Sequence, residues 1–107
     1  MDVSIIIVNY NTCALTLQCI DSIYKHTKGL TFEIIVVDNA SNDNSVVSLR
    51  KHFKNVEIIE NKQNLGFGRA NNLGIKEAKG DYILFLNPDT ILLNNAIKIM
   101  ADYLDYN

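Results

Sequence analysis

The sequence is short of several features that would point to a specialised class. It has one proline and two cysteines in 107 residues. Two cysteines cannot build a disulfide framework. Cys13 and Cys19 stand six apart in a segment with helical spacing and point about 120° away from each other. They are expected as free thiols in a reducing compartment, packed as small apolar side chains. Basic excess is also lacking: 10 Lys and Arg face 12 Asp and Glu, for a formal charge of -2. A protein that coats a duplex carries a positive surplus, so no nucleic-acid partner is expected. No apolar run approaches the roughly 20 residues of a transmembrane helix, so no transmembrane segment is expected. The run Ile5 to Val8 is too short for a signal peptide and follows Asp2 rather than a basic stretch. Apolar residues, by contrast, make up 48% of the chain and charged ones 21%. That balance excludes disorder and suffices for one compact domain over residues 1–107, though not for two.

Four β-branched runs alternate with helical patterns. The runs are Val3 to Val8, Phe32 to Val37, Val56 to Ile59 and Tyr82 to Leu86. Near-continuous apolar runs fit parallel strands covered on both faces. Between and after them the spacing predicts helices over about Thr12–His26, Ser45–Phe53, Gly68–Lys79 and Asn94–Tyr106. Thr12 is the expected N-cap of the first and Gly29 its stop. Arg50, Lys51 and His52 form a basic, solvated helix end. Ala70, Gly74 and Ala78 make a small-residue stripe that allows close approach to a sheet. Gly80 is the expected stop of that helix. Ile97, Met100, Tyr103 and Leu104 mark the apolar side of the last helix. The order β-α-β-α-β-α-β-α with right-handed crossovers predicts an α/β fold: an open, mostly parallel sheet with helices on both faces.

In such sheets ligands lie beyond the carboxyl ends of the strands. That edge carries Asn9, Tyr10 and Asn11, then Asp38, Asn39, Ser41 and Asp43, then Asn61, Asn64 and Gly66, then Asn87 and Asp89. Asn and Asp are ordinary turn residues, and the chain has fourteen asparagines, so any one loop says little. Four such loops converging on one edge point to a site. Gly66-Phe67-Gly68 is not a dinucleotide fingerprint, and no phosphate-binding GxxxxGK[ST] loop exists. Neither a Cys/His zinc cluster nor a GxSxG elbow is present. What is left is a set of amides and two or three carboxylates facing a polar ligand. Asp38 can accept from a pyrimidine N–H or a ribose hydroxyl. Asp89, after the stiffening Pro88, is placed to hold a hard divalent cation beside a diphosphate.

At these residues the chain resembles a known family. VSIIIVNYN (Val3 to Asn11), IIVVDNAS (Ile34 to Ser41), NLGFGRANNLG (Asn64 to Gly74) and GDYILFLNPDT (Gly80 to Thr90) resemble the inverting family 2 glycosyltransferases. The motifs come in the family's order, and the IVNYN and NPDT spellings resemble its rhamnosyltransferase-like branch. The resemblance implies the nucleotide-binding, Rossmann-like half of a GT-A fold. It implies that Asn9, Tyr10 and Asn11 lie against base and ribose and that Asp38 hydrogen-bonds the base. Asn64, Gly66, Ala70, Asn72 and Gly74 match the pattern NxGxxxARNxG, with Asn71 where arginine is usual. The DXD motif falls on Asn87-Pro88-Asp89, so Asn87 replaces one aspartate and Asp89 is the implied ligand of Mg²⁺ or Mn²⁺.

The implied activity is transfer of a sugar, with inversion, from a UDP- or dTDP-linked donor to a hydroxyl of a glycan or lipid-linked acceptor. Polysaccharide or cell-surface glycan synthesis would be its setting, in the cytoplasm or at the inner face of the membrane. Inversion needs a general base, which in this family lies downstream of the DXD motif. The catalytic base is therefore expected beyond Asn107, and the chain is expected to be the donor-binding half, incomplete and inactive alone. Asp102 and Asp105 are expected on a solvated helix surface. A nucleotide-sugar-binding module without turnover is the alternative. A pyrophosphorylase would want a glycine-rich basic loop where Asn9-Tyr10-Asn11-Thr12 stands. Apolar surface left exposed by the missing half makes a homodimer an expected state.

Overall fold

The computed structural model describes residues 1–106. Four strands, β1 (Val3–Asn9), β2 (Phe32–Asp38), β3 (Glu57–Glu60) and β4 (Tyr82–Leu86), alternate with four helices. The helices are α1 (Cys13–His26), α2 (Ser45–His52), α3 (Phe67–Glu77) and α4 (Ala96–Tyr106). The strands form one sheet in the order β3-β2-β1-β4, and every neighbouring pair is parallel. Val3 of β1 lies beside Phe32 of β2 and beside Tyr82 of β4. All strands therefore end on the same side.

Side-chain alternation splits β1 and β2 between two cores. Val3, Ile5, Ile7, Ile34 and Val36 pack with Cys19, Ile20, Ile23, Leu49, Ile97 and Ala101, which places α1, α2 and α4 on one face. Ile6, Val8, Ile35 and Val37 pack with Ala70 of α3 on the other. The two central strands thus bury both faces, as their unbroken β-branched runs predicted. The edge strands do not. In β4 the residues alternate between half-buried and exposed, with Ile83 and Phe85 outward, and β3 is half-buried at best.

Helix ends differ from the sequence expectation in instructive ways. Thr12 occupies the N-cap of α1 without a side-chain capping bond, because its hydroxyl donates to Asn9 Oδ1 instead at 2.8 Å. The helix stops at His26, three residues before Gly29. α3 begins one residue earlier than expected and ends at Glu77, so Gly80 closes no helix. Its role is close approach, since a Cβ there would lie 2.4 Å from the backbone nitrogen of Ser4. In α4 the inward side is Ile97 and Ala101, while Met100, Tyr103 and Leu104 are exposed. The small-residue stripe of α3 does meet the sheet: a Cβ on Gly74 would stand 2.7 Å from Ile6 Cγ2. No helix among the described residues is long and apolar enough to cross a membrane.

The glycines give a direct test of this packing. Gly80→Ala is expected to lower the unfolding free energy by about 1–3 kcal/mol through overpacking. Gly68→Ala meets nothing within 4 Å in α3 and is expected to raise stability by up to about 1 kcal/mol. Urea denaturation of the two variants checks this, and equal effects would contradict it.

Candidate functional site

The carboxyl edge of the sheet is organised by one buried hydrogen-bond network. Asn9, the last residue of β1, is fully buried. Its Nδ2 donates to Asp38 Oδ1 at 2.7 Å and to Ser41 Oγ at 3.2 Å. Its Oδ1 accepts from Thr12 Oγ1 at 2.8 Å and Thr16 Oγ1 at 2.6 Å. Asp38, at the end of β2 and also buried, accepts further from Ser41 Oγ at 2.7 Å and Ser41 N–H at 3.0 Å. A buried carboxylate needs such partners, and hydrogen bonds to it are about twice as strong as neutral ones. The network locks β1, β2, the start of α1 and the loop after β2 into one unit.

Two residues on this edge hold left-handed backbone, Asn11 at φ 54° and Ala40 at φ 65°. Asn11 uses the turn to accept from Asn42 N–H at 2.7 Å. Its own N–H donates to Ser41 Oγ at 2.9 Å. Next to it, Asp43 binds two helix starts: Oδ2 accepts from Cys13 N–H at 3.2 Å and Oδ1 from Ser45 N–H at 3.0 Å. Burial works against the Asp43 carboxylate. Hydrogen bonds from Ser45 Oγ and N–H and from Cys13 N–H outweigh it and hold its pKa below the ordinary value. A negative group at two helix N-termini is also favoured by their dipoles.

Asn39, singled out only as a member of its loop, proves central to the next one. Its Oδ1 accepts from Asn61 Nδ2 at 3.0 Å and Leu65 N–H at 3.3 Å, and its Nδ2 donates to Gly66 O at 3.2 Å. Its backbone N–H meets Asn9 O at 2.9 Å. The loop before α3 is thereby fixed to the end of β2. Asn64 Oδ1 accepts from Gly66 N–H at 2.8 Å. Gly66 sits at φ 81°, and a Cβ added there would meet nothing within 4 Å. Conformation rather than space therefore requires glycine at this position. It occupies the N-cap of α3 and supplies no side-chain bond. The first-turn N–H groups are left available at the rim.

These loops border a shallow, open cleft of about 400 Å³ lined by Val8, Tyr10, Thr12, Asn39, Asn64, Gly66, Phe67, Asn87 and Pro88. An adjoining hollow of about 300 Å³ is lined by Thr12, Leu15, Asn87, Pro88 and Asp89. Tyr10, 45% exposed, lines the cleft. Of the residues expected at the site, Tyr10, Asn64, Gly66, Asn87 and Asp89 line these two spaces. Asn9 is buried and lines neither, Asp38 lines a separate hollow with Asp43, Glu60 and Asn61, Asn11 braces the 41–43 loop, and Asn72 is exposed on α3 outside both linings. Thr12, Phe67 and Pro88 are wall residues too, although the sequence suggested for them only a helix cap, a place within a motif and a stiffened turn. Asp89 is, among the described residues, the one carboxylate lining either space. Among the described residues no group of three or more His, Cys, Asp or Glu gathers to hold a metal.

The matched sequence family decides what kind of edge this is. The family model of Glycosyl transferase family 2 matches residues 4–107. The chain belongs to glycosyl transferase family 2. It is 39% identical over 102 residues to a poly(ribitol-phosphate) beta-glucosyltransferase of Bacillus spizizenii, covering 91% of this chain and 16% of that one. Its fold overlays the crystal structure of S. aureus TarS 1-349 with a TM-score of 0.88 at 27% identity, covering 99% of this chain and 33% of TarS. The same TarS fragment in complex with UDP overlays with a TM-score of 0.87, at 27% identity and over 99% of this chain and 32% of that one. The chain spans about a sixth of the length of the first curated relatives it matches. A parallel GT-A-type sheet with helices on both faces is thus common to this chain and its family.

Cys19 lies under the cleft, its thiol 3.9 Å from Asn87 O. Burial, with the Asp89 charge adding, pushes its pKa up to about 11. Cys19 is expected to resist iodoacetamide at pH 8 in the folded chain while the half-buried Cys13 reacts, and both are expected to react in denaturant. Mass spectrometry after labelling checks this, and folded-state labelling of both thiols would contradict it.

Proposed function

We propose that this chain binds a nucleotide-diphosphate sugar, UDP- or dTDP-linked, as the donor-binding part of an inverting glycosyltransferase. The observation that carries the reading is that the cleft and the Asp89 hollow adjoin, with Thr12, Asn87 and Pro88 lining both. One end offers an aromatic ring and amides, which suit a base and ribose. The other offers a single carboxylate, which suits a cation-bridged diphosphate.

In this reading Tyr10 stacks on the base, and Asn64 and Asn87 hydrogen-bond the donor. Gly66 lets the chain approach it, and the α3 N-terminus faces its negative charge. Asn9, Asn11 and Asp38 act from outside the cleft, holding the loops that make these contacts, and Asn72 extends the α3 side of the site. Mg²⁺ takes one or two carboxylates and fills its shell with phosphate oxygens and water, so Asp89 with a bound diphosphate fits the donor set. When bound, such a cation neutralises charge that develops on the departing diphosphate. The transfer forms a bond from an acceptor hydroxyl oxygen to the anomeric carbon. The bond to the diphosphate oxygen breaks with its electron pair, and the hydroxyl proton passes to a base.

Asp102 and Asp105 do not supply that base. They pair with Lys98 Nζ at 2.6 Å and with Tyr82 Oη at 2.6 Å, near Asp2 and Asp81 at the opposite edge of the sheet. Among the described residues, Asp89 has no second carboxylate beside it in either lining, which supports donor binding without turnover as the second reading. The acceptor, a glycan or lipid-linked hydroxyl in polysaccharide or cell-surface glycan synthesis, is part of the proposal for the whole enzyme. So is its place in the cytoplasm or at the inner membrane face.

Titration calorimetry with UDP and dTDP, with and without Mn²⁺, tests the site. Binding is expected to strengthen with Mn²⁺, and Asp89→Ala is expected to remove that gain. Tyr10→Ala is expected to weaken binding by about 1–3 kcal/mol, the usual contribution of a base–aromatic stack. Absence of binding by both nucleotides in the presence of Mn²⁺ would contradict the proposal.

A further inference from the structure

Charge is unevenly spread over this chain. Residues 25–28 and 50–54 hold five of its ten Lys and Arg, both of its histidines and no acidic residue. The two segments are the C-terminal ends of α1 and α2 with the residues that follow them. Packing brings them together. The Tyr24 ring stacks on Phe53 at 5.9 Å between centroids and meets Phe32, the first residue of β2, at 5.7 Å. Both helix ends therefore stand at the amino edge of the sheet, opposite the cleft. Arg50 pairs with Glu60 at 3.8 Å. Lys25, Lys28, Lys51 and Lys54 are exposed, and among the described residues none of them forms an ion pair. The other corner of the same edge is acidic: Asp2, Asp81, Asp102 and Asp105 share a hollow with Lys98.

We propose that the basic corner formed by α1 and α2 docks this chain on an anionic phospholipid surface. The four lysines stand at and just past the ends of two helices, and none lines the cleft, the Asp89 hollow or the acidic hollow. Charges spread in this way do not converge on one phosphate; they meet several headgroups of a surface at once. Tyr24, 37% exposed and backed by Phe32 and Phe53, supplies an amphipathic ring of the kind favoured at a lipid–water boundary. The polarity of the edge decides between a flat and a winding polyanion. The chain carries a net charge of -2, and a long polyanion that follows its surface runs into the acidic corner. A membrane touches the basic corner alone and leaves the acidic one in water. Docked so, the cleft at the opposite edge stays open to the aqueous side. Each lysine near an anionic surface strengthens binding about fivefold, so four give half-binding at about 1 mM lipid. The docking is reversible and screened by salt. This inference stands apart from the donor-binding proposal.

Co-sedimentation with lipid vesicles reads the docking directly. Vesicles of phosphatidylglycerol and phosphatidylcholine are expected to bind the chain, less so as salt is raised. Vesicles of phosphatidylcholine alone are expected to leave it in solution. Lys25→Glu and Lys51→Glu are each expected to weaken binding about fivefold or more. Lys62→Glu makes the same charge change at an exposed position after β3, on the carboxyl edge, and is expected to change binding less than about twofold. No binding at about 10 mM anionic lipid, equal binding to both kinds of vesicle, or an equal loss in Lys62→Glu would each overturn the proposal. Binding to soluble polyphosphate with none to anionic vesicles would overturn it too and reassign the corner to a polyanion in solution.

Discussion

The hydrogen bond from Asn9 to Asp38 is the constraint on which the functional edge depends. It joins the carboxyl ends of the two central strands, where neither side chain reaches solvent. Every other fixed point is connected to it. Thr12 and Thr16 hold Asn9 from α1, Ser41 holds Asp38 from the following loop, and the Asn9 carbonyl accepts from Asn39. Asn39 then pins the loop that opens α3. Removing either end of the pair would leave a buried polar group unsatisfied at a cost of about 1–3 kcal/mol, more where the group is charged. The cleft is consequently preformed, and a ligand entering it need not order four loops at its own expense.

This arrangement suits the donor-binding role proposed above. The strands supply position and the loops supply polarity. Strand β1 places Tyr10 at the cleft wall, and β4 places Asn87 and Asp89 across from it. A rigid floor fixes the distance between the aromatic end and the carboxylate end. The edges of the sheet differ: β3 begins and ends in exposed glutamates, whereas β4 carries no charge and leaves Ile83 and Phe85 partly exposed.

Much of this could be read from residue order because parallel sheets impose strong patterns. The unbroken Ile and Val runs of β1 and β2 reported strands buried on both faces, and the polar residues after each run reported the carboxyl edge. The edge strands were harder to read. Nothing in Tyr82–Leu86 says that α3 stops short of it, so its outward Ile83 and Phe85 look like core residues in sequence. α4 has apolar residues around much of its surface, so periodicity selected Ile97 correctly but grouped Met100, Tyr103 and Leu104 with it, where packing adds only Ala101. Asn39, and Asp43 in its bond to Cys13, act on partners distant in the chain, and such contacts leave no local spacing to detect. Gly80 looked like a helix stop because the close approach to Ser4 is likewise a distant contact.

The central claim is that one preformed cleft, from Tyr10 to Asp89, receives the donor. The most direct measurement is an NMR titration of the isotope-labelled chain with UDP and Mg²⁺, following backbone amides. Shifts concentrated at Tyr10, at Asn64 to Phe67 and at Asn87 to Asp89, with Asn9 and Asp38 keeping their hydrogen-bonded environment, are the predicted result. Shifts confined to the opposite edge around Asp2, Asp81 and Asp102, or none at saturating nucleotide, would contradict the account.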